Sequence, residues 1–256
     1  MSDNAYPGTQ SIQRAMALLK AFDDDRPSWG LSDLARETGL NKTTAHRLLA
    51  AMEREGLIGR AADGERYVLG PEVVVLGGRA LRANNLRTIA RPQLEQLAAT
   101  TRETASLEIL SGHEMLVIDE IVGGHLMSGV PDLGSRWPLH ASSTGLVTLA
   151  FLPEEPARAL LPVSLRPVTD KTVTDHAELW RELAAVRERG YSVADETLEV
   201  GLVAIAAPVF DHDGRPVAAL SIAGPKLRVT AECVPRIGEA VRAAAGQISA
   251  RLGYRP

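Results

Sequence analysis

The sequence predicts an α+β chain in two folded parts, and three observations carry that prediction. Residues 40–70, "LNKTTAHRLLAAMEREGLIGRAADGERYVLG", put an amphipathic helix ahead of two short apolar runs parted by Asp63-Gly64. Beyond residue 100, strand-like and helix-like segments alternate. Asp213-Gly214 marks a hairpin between two long apolar strands. The expected architecture is an N-terminal winged helix-turn-helix over residues 9–70, then a linker helix over 71–88. A C-terminal GAF/PAS-like antiparallel sheet with helices follows over 89–254.

The elements justify themselves in order. From Thr9 to Phe22 the apolar residues Ile12, Ala15, Met16, Leu19 and Phe22 recur at helical spacing, and the run Asp23 to Asp25 with Pro27 ends the helix. Ser32 is a suitable N-cap for a second helix, "DLARET", which stops at Gly39. A third helix follows a short turn at Gly39 and Leu40, the helix-turn-helix signature. At about 100° per residue, Ala45, Leu48, Leu49 and Met52 fall on its inner side. Thr43, Arg47, Ala50 and Arg54 fall opposite, flanked by Thr44, His46 and Ala51.

An ordinary surface helix would more often carry Glu and Lys on that outer stripe. Two Arg, a Thr and a small Ala suit a DNA groove, where Arg reaches guanine edges or phosphate and Ala permits close approach. Lys42 and the first-turn amides add a phosphate site. Gly56 ends the helix, and "LIGR" and "RYVLG" form a hairpin flanked by Arg60 and Arg66, as a wing on a phosphate backbone requires. The competing reading is a purely structural three-helix module with a hairpin.

Pro71 can open another helix, and residues 72–101 are mostly helical with expected interruptions at Gly77-Gly78, Asn84-Asn85 and Pro92. The strip Val73, Val74, Leu76 and Leu81 is more apolar than a free linker needs, so it is expected to pack on a partner subunit. In the second domain "TASLEILSG" and "EMLVIDEIV" read as strands joined at Gly112-His113, followed by a long loop from Gly123 to Leu139. "ASSTGLVTLAFL", Pro153 to Leu160 and "TDHAELWRELAAVRERG" are helices, the last capped by Thr174 or Asp175 and ended by Gly190. "YSVAD", the strands either side of Asp213-Gly214, and a helix from Thr230 to Leu252 complete the chain.

Composition narrows the class. With 256 residues, 45% hydrophobic and 23% charged, the chain can bury a substantial core in two domains. A net charge of −4 excludes a protein coated in basic surface but leaves room for one small DNA-binding face. A single cysteine, Cys233, excludes an internal disulfide framework. "MSDNAYPG" lacks signal-peptide features, and no apolar run approaches the roughly 20 residues a membrane span needs. The expectation is a cytoplasmic protein without membrane association.

The chain resembles the IclR family of bacterial transcriptional regulators over nearly its whole length. Three stretches carry the likeness: "QSIQRAMALLKAF" with "GLNKTTAHRLLAAMEREGLI" and "RYVLG"; "LHASSTGLVTLAFLP"; and "GYSVADETLEVGLVAIAAPVFDHDGRPVAALSIAGP", the most specific. The resemblance implies dimers, often paired into tetramers, that bind palindromic operators in double-stranded DNA. It also implies response to a small molecule, commonly an organic acid. The expectation is a repressor of a catabolic operon.

"HASSTG" places Ser142, Ser143 and Thr144 at a helix start, where free amides, hydroxyls and the helix dipole suit a carboxylate; one hydroxyl could instead simply cap the helix. The family resemblance adds Ala204 and Ser221 on facing strands and Asp195 beside them, with Leu146 and Ala204 lining an apolar body. Many relatives carry a basic residue where this chain has Leu146, "LRC" where it has Leu202 to Ala204, and a second serine at Ala223. Apolar replacements favour a larger, partly apolar or aromatic acid over a small polar one. His140 and Trp137 could close over a ring, although such a Trp beside Pro138 also reads as packing.

Neither catalytic residues, a metal site nor a cofactor is expected. His113, His125, His140, His176 and His212 form no zinc-binding spacing, and "DHDG" lacks the acidic twelfth position of a calcium loop. "SST" lacks the flanking glycines of a nucleophile elbow, and Cys233, beside Val234 near the start of the last helix, has no acid-base context that would argue for a nucleophile. A hydrolase or binding protein whose first domain only drives association is the rival reading.

Overall fold

The computed structural model describes residues 9–124 and 133–255. The chain divides between Ala83 and Asn84 into two compact units, whereas the sequence placed the boundary at 88/89.

The first unit contains α1 (Gln10–Lys20), β1 (Ser28–Trp29), α2 (Leu31–Glu37), α3 (Lys42–Arg54), β2 (Ile58–Arg60), β3 (Tyr67–Leu69) and α4 (Pro71–Ala83). Leu18, Leu34, Ala45, Leu49, Ile58 and Tyr67 are buried together beneath the helices and the small sheet. Two expectations change here. Ile12 and Met16 are 67% and 44% exposed, because Leu18, with Ala15 and Leu19 beside it, sets the inner face of α1. Gly30, not Ser32, occupies the N-cap of α2, since the helix starts two residues earlier than a Ser32 cap requires. A strand missed in the sequence, β1, pairs with β3, so the wing is three-stranded in the order β1-β3-β2. Its two residues are too few to show a period.

The linker helix α4 runs through Gly77-Gly78 without a break and ends at Ala83, short of residue 88. It buries none of its own residues. Asn84 then caps the next helix, its side chain accepting from the amides of Leu86 and Arg87.

The second unit contains α5 (Asn85–Thr101), β4 (Thr104–Ser111), β5 (Glu114–Ile121), β6 (Arg136–Pro138), α6 (Ser143–Phe151), α7 (Glu154–Leu160), α8 (His176–Arg189), β7 (Ser192–Asp195), β8 (Leu202–Phe210), β9 (Pro216–Pro225) and α9 (Val234–Arg251). Pro92 sits inside α5 without ending it: the carbonyl of exposed Thr88 loses its donor where water can replace it. The six strands form one antiparallel sheet in the order β6-β5-β4-β9-β8-β7. Helices α5 and α9 cover one face, and α6 lies on the other with α8 packed behind it. Part of the expected loop from Gly123 to Leu139 is the strand β6; His125 lies outside the described residues.

The face beneath α6 is unusual in its side chains. Pairing aligns Ser106 with Ser221, Glu108 with Ala219, Ala204 with Ala223 and Ala194 with Ala204. Ala and Ser are short, so a helix resting on this face leaves space near its N-terminus. Gly145 lets α6 come that close: a Cβ there would lie 2.3 Å from the Leu139 carbonyl oxygen.

Candidate nucleic-acid interface and ligand cavity

Asn41 caps α3, its side chain accepting from the Thr44 amide at 2.8 Å, and so fixes which residues face outward. Lys42, Thr43, His46, Arg47 and Arg54 are exposed, Thr44 and Ala50 half-buried, while Ala45, Leu49 and Met52 point into the core. Among the described residues, Lys42, Arg47 and Arg54 take part in no ion pair, which leaves their charges available to an anion.

The wing is built by Asp63, whose carboxylate accepts from the amides of Glu65 and Arg66 at 3.0 and 3.1 Å. Those amides hold the Asp63 carboxyl below its ordinary pKa. Gly64, at φ 71°, completes the turn. Arg66 is exposed at the hairpin and donates to the Ser28 carbonyl. Arg60 has a second task that the sequence did not show. It forms two hydrogen bonds to Glu53 on α3, at 3.0 and 3.3 Å, donates to the Tyr67 hydroxyl and lies over the Tyr67 ring. It braces the wing against α3.

In the second unit a cavity of about 340 Å³ opens between the start of α6 and the short-chain face of the sheet. Its wall includes Ser142, Ser143, Thr144, Ala204 and Ser221, together with Trp137. Ser142 is the N-cap of α6, its hydroxyl accepting from the Gly145 amide at 3.1 Å. Capping therefore accounts for Ser142. The amides of Ser143 and Thr144 have no acceptor among the described residues, and the Ser143 hydroxyl makes no hydrogen bond to them.

Leu146 and Asp195 lie elsewhere. Leu146 follows Thr144 by about 200° around the helix, so it faces the core shared with α8. Asp195 alternates with the cavity-lining Ala194 on β7 and pairs with Lys226 at 2.7 Å. Both border a different depression, alongside His140, whose Nε2 lies 2.9 Å from the Arg166 carbonyl. His140 therefore does not close over the cavity.

The floor holds the residues that the sequence reading missed. Glu108 is buried, its two carboxylate oxygens accepting from Thr144 Oγ1 at 2.5 Å and Ser106 Oγ at 3.2 Å. Ser106 Oγ also lies 2.7 Å from Ser221 Oγ. Burial pushes the Glu108 carboxyl up to about 7, against the opposing pull of the two hydroxyls; Glu120 adds to the rise. At the rim Glu103 is clasped by Arg228 through bonds of 2.6 and 2.7 Å. The β7–β8 loop bearing Leu198 and Glu199 is anchored by Glu196, which binds Lys171 and Lys226 and whose carboxyl is thereby held down to about 2.

Among the described residues no cluster of His, Cys, Asp and Glu is placed to hold a metal ion. His113 and His176 each lie against a backbone carbonyl. No described helix is long and apolar enough to cross a membrane.

Comparison with known proteins decides what this pairing of units is. Residues 11–61 match the IclR helix-turn-helix domain, and residues 78–250 match the family described as bacterial transcriptional regulator IclR C-terminal. The chain belongs to the IclR family. It is similar to the transcriptional repressor IclR of Escherichia coli K12, at 34% identity over 95% of this chain and 90% of that protein. It is equally similar to the regulator KipR of Bacillus subtilis, at 34% identity over 96% of this chain and 98% of the relative. Among solved structures, an IclR regulator from Alicyclobacillus acidocaldarius superposes with a TM-score of 0.85, at 31% identity, over 95% of this chain and 98% of that one. An IclR homologue from Microbacterium hydrocarbonoxydans, in complex with 4-hydroxybenzoate, gives 0.79 at 32% identity, over 95% and 99%. These IclR-family relatives are transcriptional regulators rather than enzymes, several of them repressors.

Proposed function

We propose that this IclR-family chain is a repressor of a catabolic operon, released or retained on its operator by a partly apolar, aromatic carboxylate. Arg47, Arg54 and Lys42, with Thr43, Thr44 and His46 beside them, would read and clamp double-stranded DNA, and the wing cations Arg60 and Arg66 would lie along its backbone. One such module reads a short half-site, so a palindromic operator bound by a homodimer or a dimer of dimers is the expected arrangement. The exposed residues Val74, Val75 and Leu76 of α4 supply apolar area for that association.

The observation that carries the ligand reading is the start of α6. There the untaken amides of Ser143 and Thr144 and the Ser143 hydroxyl border a cavity whose other walls include Trp137, Ala204 and Leu202. A carboxylate fits the amides and an aromatic body fits the walls. The 4-hydroxybenzoate held by the Microbacterium hydrocarbonoxydans homologue is a molecule of this kind. Such a ligand alters operator binding by as much as it favours one arrangement of the chain, and operator DNA alters its affinity by the same factor.

A gel-shift of the purified protein on its own upstream intergenic DNA, with and without aromatic acids, tests this. A discrete complex that an acid weakens or strengthens is expected. Failure to prefer that DNA over a scrambled duplex would overturn the regulator reading, and a monomer by light scattering at micromolar concentration would overturn the dimer.

A further inference from the structure

An anion in this cavity meets an obstacle. Among the described residues the lining carries Glu103, Glu108, Glu120 and Glu199 with one guanidinium, Arg228, which is bound to Glu103. Glu108 is tied to the first turn of α6, since it holds the Thr144 hydroxyl directly. Its own partners are hydroxyls, and a hydroxyl donor carries no charge to offset a buried carboxylate.

The described elements around Glu108 bring these charged groups to it. Glu103, just ahead of β4, is neutralised by Arg228; β5 adds Glu120; the β7–β8 loop adds Glu199. The cavity-lining residues of α6, β6, β7, β8 and β9 include no charged side chain among those described. A ligand carboxylate at Ser143 and Thr144 would place a second negative charge beside Glu108 in a region of low polarisability.

We propose that Glu108 makes ligand binding in this cavity proton-linked: the anionic effector enters with one proton from solvent, which is bound by the Glu108 carboxylate. The inference rests on the carboxylate reading above. The balance is simple. A carboxylate and a proton become a carboxylic acid, no other bond changes, and Glu108 and the ligand together carry one negative charge in place of two. Hydrogen bonding follows. The protonated Glu108 becomes a donor, to Thr144 Oγ1 or to the ligand, and the Thr144 hydroxyl is freed to turn its own hydrogen towards the ligand. Ser106 and Ser221, 2.7 Å apart, can reverse their shared bond in the same way.

The empty cavity is set for this, because burial already raises Glu108 to about 7, and a neighbouring anion raises it further. Affinity for a carboxylate should then fall about tenfold from pH 6 to pH 8, and binding at pH 7 should take up about half a proton. A neutral ligand of the same shape should show neither.

The test is titration calorimetry of the full-length protein with benzoate, 4-hydroxybenzoate and phenylacetate at pH 6, 7 and 8. At pH 7 it is repeated in phosphate and in Tris, whose different ionisation heats report proton uptake on the wild type alone. Glu108→Gln keeps the side-chain shape and should bind the acids with an affinity independent of pH and a binding heat independent of buffer. Binding by wild type that is equally tight at pH 6 and pH 8, without proton uptake, would overturn the role of Glu108 and leave the carboxylate site standing. Failure of all three acids to bind at any pH, or binding of benzylamine that tightens as pH rises, would overturn the carboxylate reading and this inference with it.

Discussion

Replacing Glu108 by Gln should change how the stability of the second unit responds to pH, with no ligand present. Burial raises the Glu108 carboxyl from 4.5 to about 7 in the folded state. A carboxyl raised on folding is favourable to the folded state below its unfolded value, and that contribution is lost as pH rises through the folded one. The full difference, roughly 2.5 units at 1.36 kcal/mol each, is about 3 kcal/mol. Most of it, about 2–3 kcal/mol, falls between pH 5 and pH 8. The amide does not ionise, so the Gln variant escapes that loss while other titrating groups cancel in the comparison. The variant should be near or slightly below wild type at pH 5 and gain about 2–3 kcal/mol on it by pH 8. For a unit of this size that is about 5–10 °C in Tm. Denaturant melts of both proteins at pH 5, 6, 7 and 8, followed by tryptophan fluorescence and circular dichroism, measure it. Parallel profiles would show that Glu108 is ionised in the folded protein across this range and that burial does not govern it.

Three further outcomes are expected. Arg47→Ala should cost about 1–3 kcal/mol on the operator and much less on a scrambled duplex, read by fluorescence anisotropy; equal losses on both would move Arg47 from base edges to phosphate. Arg60→Ala separates two roles: loss of a phosphate contact lowers the slope of log affinity against log salt by about one, whereas loss of the Glu53 and Tyr67 brace alone lowers the melting temperature and leaves the slope unchanged. Gly145→Ala puts a methyl 2.3 Å from the Leu139 carbonyl oxygen, a backbone atom that cannot swing aside, so the second unit should lose at least about 3 kcal/mol or fail to fold. A variant as stable as wild type would mean that α6 can shift away from Leu139 without cost.

Most of the fold was legible because its elements obey short-range rules. The α3 stripe follows from helical period and the Asn41 cap, and the strands around Asp213-Gly214 follow from turn chemistry and apolar run length. The candidate site was legible only where one residue's role depends on its own backbone. Ser142, Ser143 and Thr144 could be placed because a helix start exposes amides whatever surrounds it. Leu146 and Asp195 could not, because lining a cavity depends on which way a side chain turns, and neighbours at 200° on a helix or on alternate sides of a strand turn away.

Glu108 illustrates the harder limit. Along β4 the residues Thr104, Ser106 and Glu108 alternate with Ala105, Leu107 and Ile109, the pattern of a strand with one face in water. Nothing local distinguishes water from a covered polar cavity. What distinguishes them is the partner strand: Ser221 and Ala219 stand opposite Ser106 and Glu108, and Ala204 and Ala194 extend the same short-chain surface across β8 and β7. Side chains this small on a solvent face would leave nothing for water to be excluded from. Under a helix that begins with Ser142 and is drawn in by Gly145, they leave a chamber whose floor is a carboxyl. The chemistry of the site thus belongs to a register between distant strands, and that register puts an acid where a carboxylate ligand would bind together with a proton from solvent.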